Sequence, residues 1–356
     1  MLKKKRKVLL TGLTGFIGKH TARKIHKNFD ITAIIRPSSS KSKYKEFEND
    51  VNLVRISLSD RERLKTFLQN QYFDFILHIG AIRGGREYDN SEYYRANVIA
   101  TDILINNAVK NNSKFIYCST VGVYGAIPDE LPATLHTPYK EDNFYHKTKI
   151  QCEKNINKAI FDGVLNACIV RPAITYGTDD FGFPYTLTKL VDKRLLYLPT
   201  KPIFIHLLNV DTLSEVFKRL LERGFTPGKI WNVADKDRVC FQVLADFIYR
   251  RLKELSILKS MPDSLKTEEN FDTNNIGWDV YKPYPSNKQI NKGFFDLLIK
   301  MFKISKSDHW VSRLELISNS WYYDVRAIYD DLEIKSYDTI PDFGVVVDWY
   351  AGLDNK

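Results

Sequence analysis

The chain has 356 residues, 44% of them hydrophobic and 27% charged, which excludes wholesale disorder and allows a core that needs no disulfide or metal staples. Lys and Arg outnumber Asp and Glu by 53 to 43, and the net charge of +10 suits phosphate-bearing partners. No reading motif for nucleic acid accompanies it, so a nucleic-acid partner is not expected.

The run Lys3–Lys7 opens the chain as a solvated basic edge, and the apolar stretch behind it, Val8–Leu10, is too short for a secretory signal. Short apolar runs then alternate with longer mixed ones. Val8–Thr11, Ile31–Ile35, Asn52–Ser57, Phe75–Ile79, Phe115–Ser119 and Ala167–Arg171 read as strands. Lys19–Lys27, Asp60–Asn70, Glu92–Asn111 and Asn143–Phe161 read as helices. This alternation predicts an α/β fold, a Rossmann-type doubly wound parallel sheet, with a smaller, mostly C-terminal α/β lobe. The expected dinucleotide-binding domain is 1–177 with 203–237 returning to it, and the substrate lobe is 178–202 and 238–356. Beyond Gly177 the loops lengthen, and Ser260–Lys292, with Pro262, Pro283 and Pro285, reads as a lid, a binding segment or a disordered stretch. Gly293–Ile304 reads as a basic amphipathic helix packing its apolar face on the domain. No stretch approaches the roughly 18 apolar residues of a membrane span. The four cysteines, Cys118, Cys152, Cys168 and Cys240, have no metal-ligand or disulfide spacing, so reduced thiols, no metal and a cytoplasmic location are expected.

Thr11-Gly12-Leu13-Thr14-Gly15-Phe16-Ile17-Gly18 follows the first strand and opens a helix. Glycines at this spacing permit a tight turn, a close backbone approach to a pyrophosphate, and close packing of helix on strand. The helix N-terminus then offers free N–H groups to phosphate. At the end of the second strand, where a carboxylate would bond the ribose 2′-OH of NAD, stands Arg36, followed by Ser38, Ser39, Ser40 and Lys41. A guanidinium with hydroxyls and a lysine suits a 2′-phosphate, so NADP is favoured over NAD. Further along, Tyr145-x-x-x-Lys149 puts a phenol and an ammonium one helical turn apart on one face. A nearby ammonium and a cationic nicotinamide would lower the phenol's pKa toward neutrality, which acid–base work requires.

These motifs, with His78-Ile-Gly-Ala81, Asn97-Val-Ile-Ala-Thr101, Ser119-Thr-Val-Gly-Val-Tyr-Gly125 and Arg171-Pro-Ala-Ile-Thr-Tyr-Gly177, run in order along most of the chain. Asn209-Val-Asp211, Trp231-Asn-Val-Ala-Asp235 and the segments 321–332 and 343–350 add further landmarks. Together they resemble the extended short-chain dehydrogenase/reductase superfamily, the NAD(P)-dependent epimerase/dehydratase group. The resemblance implies that Tyr145 is the acid–base residue, that Lys149 holds the nicotinamide ribose, and that Thr120 bonds the reacting oxygen, with Ser119 as the neighbouring alternative. It places Gly12, Gly15, Phe16, Ile17, Gly18, Arg36, Ser57, Leu58, Gly80, Ala81, Asn97, Pro172 and Ile174 along the cofactor with Tyr145 and Lys149. Dimerisation through the Tyr145 helix and the one before it is common in that superfamily.

Departures narrow the reading. Val121 and Gly122 stand where nucleotide-sugar 4,6-dehydratases carry the Asp-Glu elimination pair, so that reaction is not expected. Ile174 replaces an asparagine common in nucleotide-sugar epimerases, and Ser57 an aspartate that bonds adenine. Arg83 and Arg86, in the loop after the fourth strand, are candidates to grip a substrate phosphate or carboxylate, with Thr120 and Phe183 beside the substrate. His78 is expected to be structural, and His146, Asp179 and Asp180 to be exposed. The expected function is therefore an NAD(P)-dependent oxidoreductase or epimerase acting at a secondary alcohol or ketone of a nucleotide-sugar-like small molecule. The alternatives are a ketone, hydroxysteroid or flavanonol reductase of the same superfamily and, in another class, a non-catalytic dinucleotide sensor.

Overall fold

A computed structural model describes residues 4–83, 89–260, 289–304, 308–335 and 337–353. In chain order, β1 (Lys7–Thr11) leads into α1 (Phe16–Ile25), β2 (Asp30–Ile35), β3 (Val51–Arg55), α2 (Arg61–Leu68) and β4 (Phe75–His78). Next come α3 (Asn90–Tyr93), a π-helical turn (Tyr94–Ile99) and α4 (Ala100–Asn111) without a break, then β5 (Lys114–Cys118), α5 (Phe144–Phe161) and β6 (Ala167–Pro172). The remainder is mainly helical: α6 (Phe183–Asp192), α7 (Val210–Arg223), strand β7 (Ile230–Val233), α8 (Phe241–Ser260), α9 (Lys292–Ile304) and α10 (Asp308–Ser318). It ends in α11 (Arg326–Leu332), α12 (Thr339–Asp342) and α13 (Gly344–Leu353).

The seven labelled strands form one sheet in the order β7-β6-β5-β4-β1-β2-β3, and every pairing in it is parallel. Their apolar runs are covered on both faces, which leaves Leu9, Ile76, Phe115 and Ile169 fully buried. Strand order reverses between β1 and β4, and in open sheets of this kind the crevice at the strands' carboxyl ends is the ligand site. The expected strands and helices recur with ends shifted by a few residues. The π-helical turn within the expected 92–111 helix is the one feature there that side-chain periodicity did not indicate.

The described residues group into two compact units: 1–175, 208–236 and 323–337 form the first, and 176–207, 237–322 and 338–356 the second. The return of 323–337 to the first unit differs from the sequence reading, which left it with the C-terminal lobe. Its physical reason lies at β7, an edge strand that needs cover. Trp231 donates its indole N–H to Asp331 at 2.8 Å, the Tyr329 hydroxyl donates to the Ala234 carbonyl at 2.7 Å, and Asp324 N–H reaches the Ala133 carbonyl at 2.9 Å.

In the second unit Phe183 packs against Phe241 and Trp321, each with ring centroids 6.2 Å away, and Arg251 grips Asp348 through two bonds of 2.8 and 2.9 Å. Helix α9 buries Phe295 and Ile299, as its amphipathic pattern requires. Asp180 is buried at 4% exposure rather than solvated as its sequence neighbourhood implied, while Asp179 beside it is exposed. Most of Ser260–Lys292, the expected lid, lies outside the described residues. Among the described residues no helix is long and apolar enough to cross a membrane, and no group of His, Cys, Asp or Glu is placed to hold a metal ion.

Candidate active site

The first strand ends at the glycine turn. Gly12 has φ of +87°, and a Cβ there would lie 2.8 Å from Gly80 N. At Gly18 a Cβ would lie 2.1 Å from the Gly12 carbonyl oxygen, so α1 can start this close to β1 only through glycine. Gly15 N–H closes the turn on Gly12 O at 2.9 Å. Helix α1 then begins at Phe16 with no side-chain cap and no acidic residue in its first turn. Its first N–H groups, those of Phe16 and Ile17, are thus left for an anion from outside the chain. This cradle fits the pyrophosphate of a dinucleotide.

The neighbouring strands complete the cradle. Leu58 lies over Gly80, its Cδ1 2.9 Å from where a Gly80 Cβ would be, and Ser57 bonds Ser59 at 2.8 Å. Arg36 is exposed at the end of β2, and its guanidinium has no partner among the described residues. Lys41, grouped with it from sequence, pairs instead with Glu48 at 3.3 Å. Thr14 of the turn reaches Ser39 at 3.3 Å, which links the glycine turn to the loop that carries Arg36.

The loop after β4 is held by a one-directional chain of hydrogen bonds. Gly80 N–H donates to Thr11 Oγ1 at 2.9 Å, and Thr11 Oγ1 lies 2.6 Å from His78 Nδ1. His78 Nε2 lies 2.9 Å from Thr101 Oγ1, whose hydroxyl donates to the Asn97 carbonyl at 2.5 Å. The Thr101 donor fixes the order: His78 gives its Nε2–H to Thr101 and accepts from Thr11 at Nδ1. Burial, reinforced by the Lys149 charge, pushes the His78 pKa down to about 3, so the ring is neutral. Asn97, expected along the cofactor, spends its side chain on the protein. Its Oδ1 accepts from Ile82 N–H at 2.8 Å, and its amide donates to the Ile82 carbonyl at 2.9 Å and to Thr148 Oγ1 at 3.0 Å. Ala81 and Arg83 follow in this loop; Arg83 is exposed and Arg86 lies outside the described residues.

The third part joins β5, α5 and β6. Lys149 is 2% exposed, donates to the Cys118 carbonyl at 2.6 Å and to Tyr117 OH at 3.1 Å, and sits 4.4 Å from the centre of the Tyr117 ring. Burial lowers its pKa. Tyr145, one turn earlier, is partly buried. Its burial pushes the phenol up, the Cys118 thiol adds to this, and the Arg83 charge opposes it. The expected lowering by Lys149 is therefore not found in the protein alone: the ammonium is directed at β5. Thr120 is partly exposed, and its Oγ1 accepts from Gly122 N–H at 3.0 Å, leaving its own hydrogen to donate. Ser119 is 2% exposed and gives its hydroxyl to Glu153 at 2.5 Å, so of the two neighbours only Thr120 has a hydroxyl for a ligand.

Glu153, one turn beyond Lys149, anchors a network that sequence reasoning missed. Arg171 of β6 donates to it from Nε at 3.0 and 3.2 Å and from Nη2 at 2.5 Å. Tyr139 OH donates to it at 2.8 Å, and Arg171 also reaches Tyr124 OH at 2.5 Å. The i,i+4 spacing of Lys149 and Glu153 was a signal that both face one side of α5. His146 also departs from expectation: its side chain is 12% exposed and hydrogen-bonded to Asp142. Pro172 is buried and Ile174 partly so at the end of β6, while Phe183 belongs to the second unit.

Comparison with known proteins agrees with this architecture. The chain is 27% identical over 210 residues to UDP-glucose 4-epimerase GEPI48 of Cyamopsis tetragonoloba, covering 52% of this chain and 59% of the relative. It is 29% identical over 163 residues to the UDP-glucose 4-epimerase of Drosophila melanogaster, 41% of this chain and 46% of the relative. The chain thus spans about half the length of the curated relatives it matches. The crystal structure of the Bordetella bronchiseptica enzyme WbmH in complex with NAD+ has the same fold, with a TM-score of 0.70 at 17% identity over 98% of this chain and 99% of that one. The profile of the NAD dependent epimerase/dehydratase family matches residues 8–196, more than half of the sequence, and the chain belongs to that family.

Proposed function

We propose that this protein is an NAD(P)-dependent oxidoreductase or epimerase that acts on a secondary alcohol or ketone carbon of a nucleotide sugar. The observation that carries the reading is the pairing of a dinucleotide cradle at Gly12–Gly18 with Thr120, which follows β5 of the same sheet, and with Tyr145 and Lys149 of α5. The curated relatives' names, UDP-glucose 4-epimerase, support the substrate class. Gly12, Gly15, Phe16, Ile17 and Gly18 would hold the pyrophosphate, Leu58, Gly80 and Ala81 the adenosine side, and Lys149, Pro172 and Ile174 the nicotinamide end. The unpartnered Arg36 supports NADP, whereas the NAD+ named with WbmH supports the unphosphorylated form. When bound, the cofactor supplies hydride acceptance and donation.

Tyr145 holds and moves the hydroxyl proton at the reacting oxygen, and Thr120, its Oγ1 oriented by Gly122, donates to that oxygen. Lys149 is fixed by β5 and adds positive charge at the floor of the site. Arg83, whose charge already acts on Tyr145, would meet an anionic substrate group. The test is the change in nicotinamide absorbance and the epimerisation of the sugar with NAD+ and NADP+ and a panel of UDP-sugars. Tyr145→Phe should lower turnover by about 10²–10⁴ while cofactor binding persists. Full turnover by Tyr145→Phe would falsify the assignment.

A further inference from the structure

Gly122 follows Thr120 by two residues and belongs to the turn against which α5 packs. A Cβ built on Gly122 would lie 2.3 Å from His146 Nε2 and 2.6 Å from its Cδ2. The imidazole therefore fills the space that a side chain at position 122 would occupy. Here the backbone supplies a vacancy, and the residue after Tyr145 supplies a titratable ring to fill it.

The ring is held as a base would be. His146 Nδ1 makes a short contact with Asp142 Oδ1. Asn143 caps α5 by accepting His146 N–H on Oδ1 at 2.8 Å, which turns its amide NH2 toward Asp142 Oδ1 at 3.1 Å and His146 Nδ1 at 2.9 Å. The short contact with the carboxylate puts the proton on His146 Nδ1, so Asn143 and His146 both donate to Asp142 and the Asn143 amide makes no hydrogen bond to Nδ1. The lone pair is then on Nε2, which has no hydrogen-bond partner among the described residues. Asp142 is itself held, its Oδ2 accepting Ala126 N–H at 2.5 Å. A base oriented by a carboxylate on its far nitrogen is the general pattern of activated proton-transfer groups. The imidazole centroid is 5.7 Å from that of Tyr145, and the side chain keeps 12% exposure.

We propose that Asp142 and His146 form a second proton-transfer pair of this enzyme, acting on the carbon next to the one served by Tyr145. The inference rests on the assignment of Tyr145 above. On a substrate that carries a ketone at the reacting carbon, the neighbouring C–H is acidic. His146 Nε2 takes that proton, the C–H electron pair forms the enolate double bond, and the carbonyl oxygen carries the negative charge. Thr120 and Tyr145 donate to that oxygen, and the Asp142 carboxylate holds the imidazolium. Return of the proton restores the ketone, to the same face or the opposite one, with no other reactant consumed.

The test is turnover in D2O with NAD+ or NADP+ and a panel containing UDP-glucose, UDP-N-acetylglucosamine and UDP-glucuronate, read by mass spectrometry. The wild type should gain deuterium at the carbon adjacent to the reacting one. In His146→Gln and Asp142→Asn the deuterium gained per sugar turned over should fall at least tenfold. Turnover by the wild type without deuterium gain overturns the proposal and leaves the Tyr145 assignment standing. Finding neither nicotinamide reduction nor epimerisation of any sugar overturns both. A second readout needs no turnover: in ¹⁵N-histidine spectra of the wild type, His146 should show a protonated Nδ1 and a lone-pair Nε2 that shifts when UDP-glucose is added. A protonated Nε2 that ignores the sugar counts against the pair.

Discussion

At the β1 end of the site the ligand-facing surface is backbone: Gly12 and Gly18 approach other main-chain atoms so closely that no side chain fits, and α1 begins uncapped. At the β5 end it is buried side-chain chemistry. Lys149, Glu153 and Arg171 are all nearly solvent-free, and each is satisfied by several partners. The first region depends on the absence of atoms and the second on the completeness of a polar network. Damage to the first should therefore appear in cofactor affinity, and damage to the second in stability and turnover.

The backbone-built region is tested most directly by Gly18→Ala. Its Cβ would lie 2.1 Å from the Gly12 carbonyl oxygen, so α1 must move away from the turn. Cofactor affinity, measured by fluorescence titration, should fall by about a hundredfold, the scale of an ångström-level misplacement. If affinity held, the backbone account of this region would fail. Next is Glu153→Gln, which strands a buried guanidinium whose partner is itself 0% exposed. Loss of one partner from such a pair costs about 3–5 kcal/mol in chemical denaturation. A double change of Glu153 and Arg171 to apolar residues should recover part of that loss.

His78 lies between the two regions and offers a pH test. Its folded pKa of about 3 is below the ordinary value of 6.5, so below pH 6.5 the unfolded chain binds a proton that the folded protein refuses. The stability it contributes is full above about pH 6.5 and falls by about 1.4 kcal/mol per unit as pH drops toward 3. In urea melts at pH 7.5 and 5.5, His78→Gln should narrow the difference by about 1 kcal/mol. At exposed Arg36 the effect should be confined to cofactor choice: Arg36→Ala should narrow the ratio of NADP to NAD affinity by about tenfold, roughly 1.4 kcal/mol. An unchanged ratio would remove Arg36 from cofactor selection.

The backbone-built region was the more legible in the sequence. Glycine spacing after an apolar strand reports directly on a tight turn, and β1 to β6 announced themselves as apolar runs because parallel strands are buried on both faces. The β5 region was legible in its members but not in their wiring. Tyr145 and Lys149 were placed on one helical face, yet the direction of the Lys149 ammonium depends on the Cys118 carbonyl and Tyr117, which no local pattern shows. His146 was expected in solvent because helical geometry turns it away from Tyr145. Its burial depends on a missing side chain at Gly122, remote in sequence and visible only once α5 meets that turn. The return of 323–337 was hidden for a similar reason, since a segment that covers an edge strand carries no signature of its address.

The hydrogen-bond chain from Gly80 through Thr11, His78 and Thr101 to the Asn97 carbonyl has a consequence for how this sequence can drift. Every link points the same way, so each hydroxyl and the ring must be both donor and acceptor in a fixed order. A single replacement by an apolar residue strands a neighbour on each side, and a replacement of reversed polarity meets like facing like. Thr11, His78 and Thr101 therefore behave as one inherited unit spread over three elements. The smooth route to a different solution is to exchange all three together for an apolar set, and the Gly80 N–H would then need another acceptor before the loop beside Gly12 could keep its place.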